Sequence, residues 1–311
     1  MGQIGVIIVT FNAADVITDC LDSLLTQEGG APRIIIVDNG STDQTLSLVR
    51  DWSARALPQA GGFQETDRPE GMASRGAQVT LLRGGLNRGF AGGVNLGLRA
   101  CAACPDLGHF WILNPDSRAD PHACRAILAA AARNPNYGLL GGRVCYAEPP
   151  HRIQFDGGTV NLWTGVTSNI NLGLTTAEAR FPSPEVLDFV TGASLVAARR
   201  FYEEVGPMRE DYFLYYEEVD WAMRRGALPL ILAEDFLVFH HAGTAIGSPT
   251  LERMASAFSF WFKYRSRMKF IRRFRPVALP LVMAYASAKA VQLLLRGARA
   301  QAEALLRATY G

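Results

Sequence analysis

Cysteine is scarce in this 311-residue chain, charge is thin at 19% Asp, Glu, Lys and Arg, and no apolar run is both long and unbroken. Five cysteines (Cys20, Cys101, Cys104, Cys124, Cys145), an odd count in a long chain, exclude a disulfide framework and point to reduced thiols in the cytoplasm. Cys101 and Cys104 form a CxxC, but it falls at the end of a helical pattern rather than at a start, and no further ligands follow in zinc-site rhythm. The opening Met-Gly-Gln lacks the basic and apolar regions of a signal peptide, so none is expected. The longest apolar stretch, 277–295, is interrupted by Pro280 and Lys289, whereas a spanning helix needs about 20 apolar residues in a row. No GxGxxG follows the first strand-like run and no GK[ST] occurs, which excludes the dinucleotide fingerprint and the P-loop.

Hydrophobic residues make up 49% of the chain, enough for the core of one large domain or a domain and a half. The net charge of +2 hides a split: residues 251–311 hold 12 Lys/Arg against 2 Asp/Glu, leaving 19 basic and 27 acidic residues before them. A basic tail on an acidic body signals a partner.

Strand and helix patterns alternate through the first half. "IGVIIVTFN" (4–12) and "RIIIVDNGSTD" (33–43) begin as β-branched runs of the kind buried on both faces of a sheet. Between them, 14–27 has apolar residues at helical spacing, and Ser41 or Thr42 is placed to cap the helix after the second strand. Residues 53–78 lose all periodicity and read as a mobile surface insertion. Two further strands, 79–82 and 110–113, enclose a glycine-rich stretch and a helix over 94–103. This alternation predicts an α/β fold on a mostly parallel, doubly wound sheet. Later, the pattern changes to strands with hairpin punctuation (153–171 and 186–198), a helix over 217–225 and a short strand over 230–233. The tail "FSFWFKYRSRMKFIRRFRP" (258–276) interleaves aromatics with arginines and reads as a helix in the headgroup region of an anionic membrane. A helical pair packed on the body is the plainer alternative. Nucleic acid is not expected, because no RNA- or DNA-binding motif accompanies the charge.

In an open parallel sheet, ligands bind beyond the carboxyl ends of the strands. Four features gather there: Thr10, Phe11 and Asn12; Asp38, Asn39 and Asp43; the glycine-rich "GGLNRGFAGGVN" (84–95); and Asn114-Pro115-Asp116. Each alone is an ordinary polar turn or cap, but all on one rim point to a ligand site. A carboxylate such as Asp38 accepts hydrogen bonds from a ribose or base. The glycines offer N–H groups to an anion. Asp116 is placed to hold a divalent cation together with phosphate oxygens. Glu217, Glu218 and Asp220 crowd into four residues beside Tyr215, Tyr216 and Trp221. An apolar setting raises a carboxylate's pKa and suits it to act as a base, the alternative being an acidic first turn favoured by the helix dipole. His240 and His241 follow a strand, where a metal ligand fits.

Taken in order, "VIIVTFN", "VDNGSTD", "NRGFAGGVN", "LNPD", "FVTGASLVAARRFYEEVGPMRE", "DYFLYYEEVDWAMR" and "HHAG" resemble the family 2 inverting glycosyltransferases, in particular their bacterial rhamnosyltransferase-like branch, over about residues 5–243. The resemblance implies a GT-A fold over residues 1–250 with a mixed acceptor-side half, followed by a helical tail over 251–311. It implies a dTDP- or UDP-linked sugar donor (rhamnose is the sugar the branch suggests), a divalent cation (Mg²⁺ or Mn²⁺), and inversion at the anomeric carbon. By the same resemblance Thr10, Asn12, Asp38 and Asp43 lie at the nucleoside, and Asn87, Gly89, Gly92 and Asn95 line the diphosphate and donor sugar. Asn114 takes the first place of a DxD, while Asp116 and His240 hold the metal. Gly192, Ala193, Glu217, Asp220 and Trp221 border the acceptor, and Glu218 stands as catalytic base where the family carries Asp. The implied acceptor is a saccharide or lipid-linked saccharide of cell-surface polysaccharide synthesis, met at the inner face of the cell membrane by a peripheral enzyme. Two other classes fit less fully. A sugar-nucleotide pyrophosphorylase wants a glycine-rich loop right after the first strand, and a catalytically degenerate binding or scaffold subunit is permitted by Asn114 and Glu218.

Overall fold

The computed structural model describes residues 2–57, 59, 61–69, 76–241 and 254–311. The β-branched runs form strands, and the amphipathic segments between them return the chain to the same sheet edge: β1 (Gln3–Thr10), α1 (Ile17–Leu25), β2 (Arg33–Asp38), α2 (Thr45–Ala56), β3 (Phe63–Thr66), β4 (Val79–Arg83), α3 (Gly89–Ala102) and β5 (Leu107–Leu113). These strands lie in the order β3-β4-β2-β1-β5 and are all parallel, so Thr10, Asp38, Arg83 and Leu113 end on one rim. Ile7, Ile8, Ile34, Ile35, Ile36 and Val37 are fully buried, as a sheet covered on both faces requires.

The glycines of α3 do more packing than expected. A Cβ at Gly93 would stand 2.4 Å from Val9 Cγ1, and one at Gly97 would stand 2.3 Å from Ile7 Cγ2. Glycine at these i, i+4 positions lets the helix press onto β1, and the helix starts at Gly89, five residues before the apolar periodicity does. The stretch 53–78 is also more ordered than its composition suggests. Its first four residues finish α2, and β3 adds an edge strand pinned by a bidentate Arg50–Glu65 pair at 2.8 and 2.9 Å. Positions 58, 60 and 70–75 of that stretch lie outside the described residues.

The mixed half follows: β6 (Ser117–Ala119), α4 (Ala123–Arg133), β7 (Leu139–Tyr146), β8 (Ile153–Phe155), β9 (Gly158–Val160), β10 (Thr167–Asn169), β11 (Ser194–Ala198), α5 (Arg199–Val205), α6 (Glu217–Met223) and β12 (Leu230–His240). β11 runs antiparallel between β5 and β7, β12 runs parallel to β7, and β6 closes the far edge. β12 extends well beyond the expected 230–233. The exposed Glu234 and Asp235 interrupt its pattern at a register shift between Leu232 and Leu237, after which the strand resumes to His240. At that shift Phe236 O comes so close to β7 that a Cβ at Gly142 would lie 2.1 Å from it.

The tail forms α7 (Ala257–Phe274), α8 (Leu279–Leu295) and α9 (Arg299–Tyr310). The boundary expected at residues 250 and 251, like Ala242 and Gly243 of the HHAG motif, lies outside the described residues. The aromatic, basic α7 is docked on the body rather than lying free: Ser266, Arg267, Met268, Phe270 and Ile271 are buried, and Lys269 and Arg273 bond to Asp211. α8 and α9 pack with Tyr264 around a small second core of Ala286, Ala290, Leu293, Ala302 and Leu305. Pro280 does not interrupt α8. It sits in the first turn, where no N–H partner is needed. By length and composition Pro276–Leu295 is long and apolar enough to cross a membrane, with mean hydropathy 1.5 and 28% of the window buried.

Candidate functional site

A cavity of about 1130 Å³ opens along the carboxyl rim of the parallel strands. Its sheet-side wall is made of amides locked by the backbone. Asn39 is buried; its Nδ2 donates to Asn87 Oδ1 (3.1 Å) and Gly89 O (3.0 Å), and its Oδ1 accepts from Arg88 N (3.0 Å). Asn87 Oδ1 also accepts from Gly89 N at 2.9 Å, which fixes the start of α3. Gly89 has φ +73°, and its missing Cβ makes room for the Phe213 backbone, whose carbonyl accepts from Phe90 N at 2.9 Å. Asn12, also in the left-handed region at φ 52°, accepts from Thr42 N at 2.8 Å and so joins the first two loops.

Not every residue expected at this wall reaches the cavity. Asp38 is buried beneath it, accepting from Gly40 N and Ser41 N at 3.2 Å and from Thr10 Oγ1 at 3.5 Å, so both Thr10 and Asp38 shape the turn. Asp43 takes the cap that Ser41 or Thr42 was expected to provide: its Oδ1 accepts from Thr45 N (3.0 Å) and Thr45 Oγ1 (2.6 Å). Gly92 is buried against Arg88. Asn95 spends its amide on the 208–210 loop, with Nδ2 donating to Met208 O and Glu210 Oε1 and Oδ1 accepting from Met208 N, all at 2.9 Å. On the other side, Asp220 is fully buried and accepts from Tyr212 Oη (2.9 Å) and Arg224 Nε (2.7 Å), while Trp221 donates to Gly206 O at 2.8 Å. Asp220 and Trp221 hold α6 in place and do not line the cavity.

At the middle of the rim, Asn114, Asp116 and His240 converge. Asn114 N donates to Ala193 O at 3.0 Å, tying this loop to the start of β11. His240 Nδ1 meets Gln154 Oε1 at 2.7 Å. An amide oxygen only accepts, so Nδ1–H donates to it, and in the neutral ring Nε2 then offers a lone pair. That lone pair faces Asp116 Oδ1 at 3.1 Å, with Asn114 Nδ2 at 3.3 Å. Two electron-pair donors this close suit a shared divalent cation, and a carboxylate with an imidazole is a set that phosphate oxygens complete. Among the described residues no group of three or more His, Cys, Asp and Glu forms a metal site by itself.

The opposite wall carries the titratable groups. Phe213, Tyr215 and Tyr216 all have φ between 66° and 72°, a strained approach that turns the chain sharply into α6. Contacts from α7 hold this strain: Tyr215 Oη bonds Ser259 Oγ at 2.9 Å, Arg267 Nε donates to Tyr216 Oη at 3.1 Å, and the Phe213 and Phe262 rings stack at 5.0 Å. Glu217 is 1% exposed and its Oε1 has no hydrogen-bond partner, so burial, with the charge of Glu218, holds its carboxyl well above the usual range. Glu218 is half-buried at the cavity wall, and burial pushes its carboxyl up to about 7. Gly192 stands beside it, where a Cβ would lie 3.9 Å from Glu218 Cδ. Lys263 of α7 lines the same wall.

Residues 5–202, more than half of the chain, match the sequence profile of Glycosyl transferase family 2. The chain is a family 2 glycosyltransferase. The transferase is similar to N-acetylglucosaminyl-diphospho-decaprenol L-rhamnosyltransferase of Mycobacterium tuberculosis, at 25% identity over 276 residues that cover 81% of this chain and 80% of the relative. It is 20% identical over 226 residues to the low-salt glycan biosynthesis hexosyltransferase Agl10 of Haloferax volcanii, covering 72% of this chain and 62% of that one. Its fold resembles GalNAc-T7 with UDP, GalNAc and Mn²⁺ (TM-score 0.63, 13% identity, 94% of this chain and 51% of the other). It also resembles the mannosyltransferase PcManGT of Pyrobaculum calidifontis in complex with GDP-Man and Mn²⁺ (TM-score 0.54, 19% identity, 99% and 86%). The fold is therefore GT-A, as the resemblance implied.

The transferase cavity unites ten of the expected positions: Asn12, Asn87, Gly89, Asn114, Asp116, Gly192, Ala193, Glu217, Glu218 and His240. It also includes Gln154 and Lys263, which sequence reasoning missed. Gln154 sits on the short β8 with no motif around it. Lys263 belongs to a stretch whose basic composition pointed outward, and only the docking of α7 turns it inward.

Proposed function

We propose that this transferase moves a sugar, rhamnose by its likeness to the mycobacterial enzyme, from a dTDP- or UDP-linked donor to a lipid-linked saccharide, with inversion. One observation carries the reading: a single cavity joins the amide-lined rim and the Asp116–His240 pair to a half-buried carboxylate held near neutrality. The amides Asn12, Asn39 and Asn87 and the start of α3 receive the nucleotide diphosphate, with Asp38 and Asp43 acting through the turns they build. Asp116 and His240 would hold Mg²⁺ or Mn²⁺, which would supply charge neutralisation for the departing diphosphate. Glu218 accepts the proton of an acceptor hydroxyl as that oxygen attacks the anomeric carbon from the face opposite the leaving group. A value near 7 keeps Glu218 ionised enough to accept the proton and basic enough to hold it. Gly192 lets the Phe90 ring close against the backbone beside Glu218, where a Cβ would stand 3.2 Å from that ring.

The acceptor's lipid points to α8. Val277, Leu281, Tyr285, Val291, Leu294 and Leu295 are all exposed, and Arg272, Arg296 and Arg299 flank them. This face, rather than α7, is the part of the tail suited to an anionic membrane surface at the inner leaflet. Thermal stability measured with dTDP, UDP, GDP and ADP, each with and without Mg²⁺ or Mn²⁺, tests the donor site. A nucleotide at 100 times its Kd adds roughly 2.7 kcal/mol. A metal-dependent shift with dTDP or UDP alone is expected, and no shift with any of the four would turn the reading toward a non-catalytic subunit.

A further inference from the structure

Lys263 is a cation with no assigned work. It projects from α7 into the cavity, and it makes no hydrogen bond or ion pair among the described residues. Burial first, then Arg267 and Lys289, lower its ammonium to about 8 against the opposing pull of Glu218. Three cations therefore converge where one carboxylate faces them. Arg267 is already committed, to Tyr216 Oη and to the rings of Tyr264 and Tyr285, and Lys289 donates to Gln292 Oε1 at 2.8 Å. Of these three cations, only Lys263 lines the cavity, where a ligand anion can meet it.

The order of features supplies the ligand's chemistry. Glu218 of α6 and Lys263 of α7 line one cavity wall, and α8 packs by Ala286, Ala290 and Leu293 around Tyr264, the residue after Lys263, while exposing Leu281, Tyr285, Val291 and Leu295. A lipid-diphosphate-linked sugar has the same order: hydroxyl, phosphate, chain. We infer that Lys263 binds the acceptor's diphosphate, holding the sugar hydroxyl at Glu218 while the lipid leaves along α8. This rests on the lipid-linked acceptor proposed above. A desolvated ammonium that makes no hydrogen bond among the described residues gains when a phosphate arrives, which makes it a specificity-determining residue for charged over neutral acceptors.

The test uses the full chain with saturating UDP and Mn²⁺, so that the donor site is filled, and octyl diphosphate as the probe in calorimetric titrations. Lys263→Gln is expected to weaken octyl diphosphate about tenfold, the loss of one charge-assisted bond, with Lys263→Arg recovering most of it. UDP affinity stays unchanged, and both variants melt as the parent does. Equal affinity of parent and Lys263→Gln for the probe overturns the assignment of Lys263 but leaves the lipid-linked acceptor standing. An equal loss of UDP affinity assigns the lysine to the donor and overturns the inference. A parent protein that does not bind octyl diphosphate at all overturns the lipid-linked acceptor, and the inference with it.

Discussion

Along the sheet rim, the polar groups that face the cavity are mostly neutral amides (Asn12, Asn39, Asn87 and Asn114), each fixed by bonds to neighbouring loops. Across the cavity, α6 and α7 present Glu217, Glu218 and Lys263, all moved from their ordinary values by burial. The first wall sets the carboxylates of Asp15 and Asp116 and the imidazole of His240 among those amides. The second is strained at Phe213, Tyr215 and Tyr216 and rich in ionisable groups. Fixed dipoles suit a ligand whose charge is constant, and poised protons suit the step in which charge moves. In the proposed function the two walls divide binding from chemistry, and substitutions on each should fail in different ways.

The sharpest break is Glu218→Gln, expected to cut transfer about 10³-fold in steady-state assays while donor titrations stay unchanged. Lost donor binding would mean that the chemical wall also holds the nucleotide. Asp116→Ala is the converse: nucleotide affinity in Mn²⁺ should fall by at least about 100-fold, with little change in EDTA. An unaltered Mn²⁺ titration would remove Asp116 from its role. Asn39→Ala breaks the amide wall from within. It loses the bonds to Asn87, Gly89 and Arg88, which should cost about 1–3 kcal/mol in denaturant unfolding and weaken nucleotide binding without altering the pH profile.

Two smaller effects sharpen the charged wall. Protonated Glu218 cannot accept a proton, so kcat/KM should fall as pH drops through about 7. The positive charge of Lys263 lowers the Glu218 value, so Lys263→Gln should move this limb to higher pH. Glu217 is raised in the folded state above its unfolded value of about 4.3, so folding takes up a proton. Its contribution is fullest below that unfolded value and is lost as pH rises. Glu217→Gln should therefore raise Tm at pH 8 by roughly 2–4 °C and do less at pH 5, and equal shifts at both would deny the carboxyl its burial penalty.

The parallel half was legible because each of its signals is local. β-branched runs bounded by polar turns are enough to read β1, β2 and β4, and the turns named the rim. What periodicity could not report was the partner of each polar side chain. Asn95 and Asp220 carry the residue types of a ligand site, yet Met208 and Arg224 consume them, and those partners lie in loops of no regular pattern. The glycines of 84–95 suggested bare backbone for a ligand, and Gly93, with Gly97 a turn later, instead admits the side chains of Val9 and Ile7. The charged tail shows the same limit: composition reports that α7 is basic, and only tertiary docking determines which of its faces is covered. The sequence profile itself ends at residue 202, before Glu217, Glu218, His240 and Lys263, so the legible half and the titrating half meet near the end of the shared pattern.

The register shift in β12 gives the imidazole of His240 a remote point of failure. Side chains along a strand alternate faces, so a slip of one residue beyond Leu237 would turn His240 away and bring Phe239 or His241 to its place. Gly142 guards that alignment, since any side chain there collides with Phe236 O. The aim of the histidine is thus calibrated by a glycine outside the cavity lining, and a misaligned enzyme would keep its sheet, its carboxylates and its cavity while losing only the direction in which one ring points.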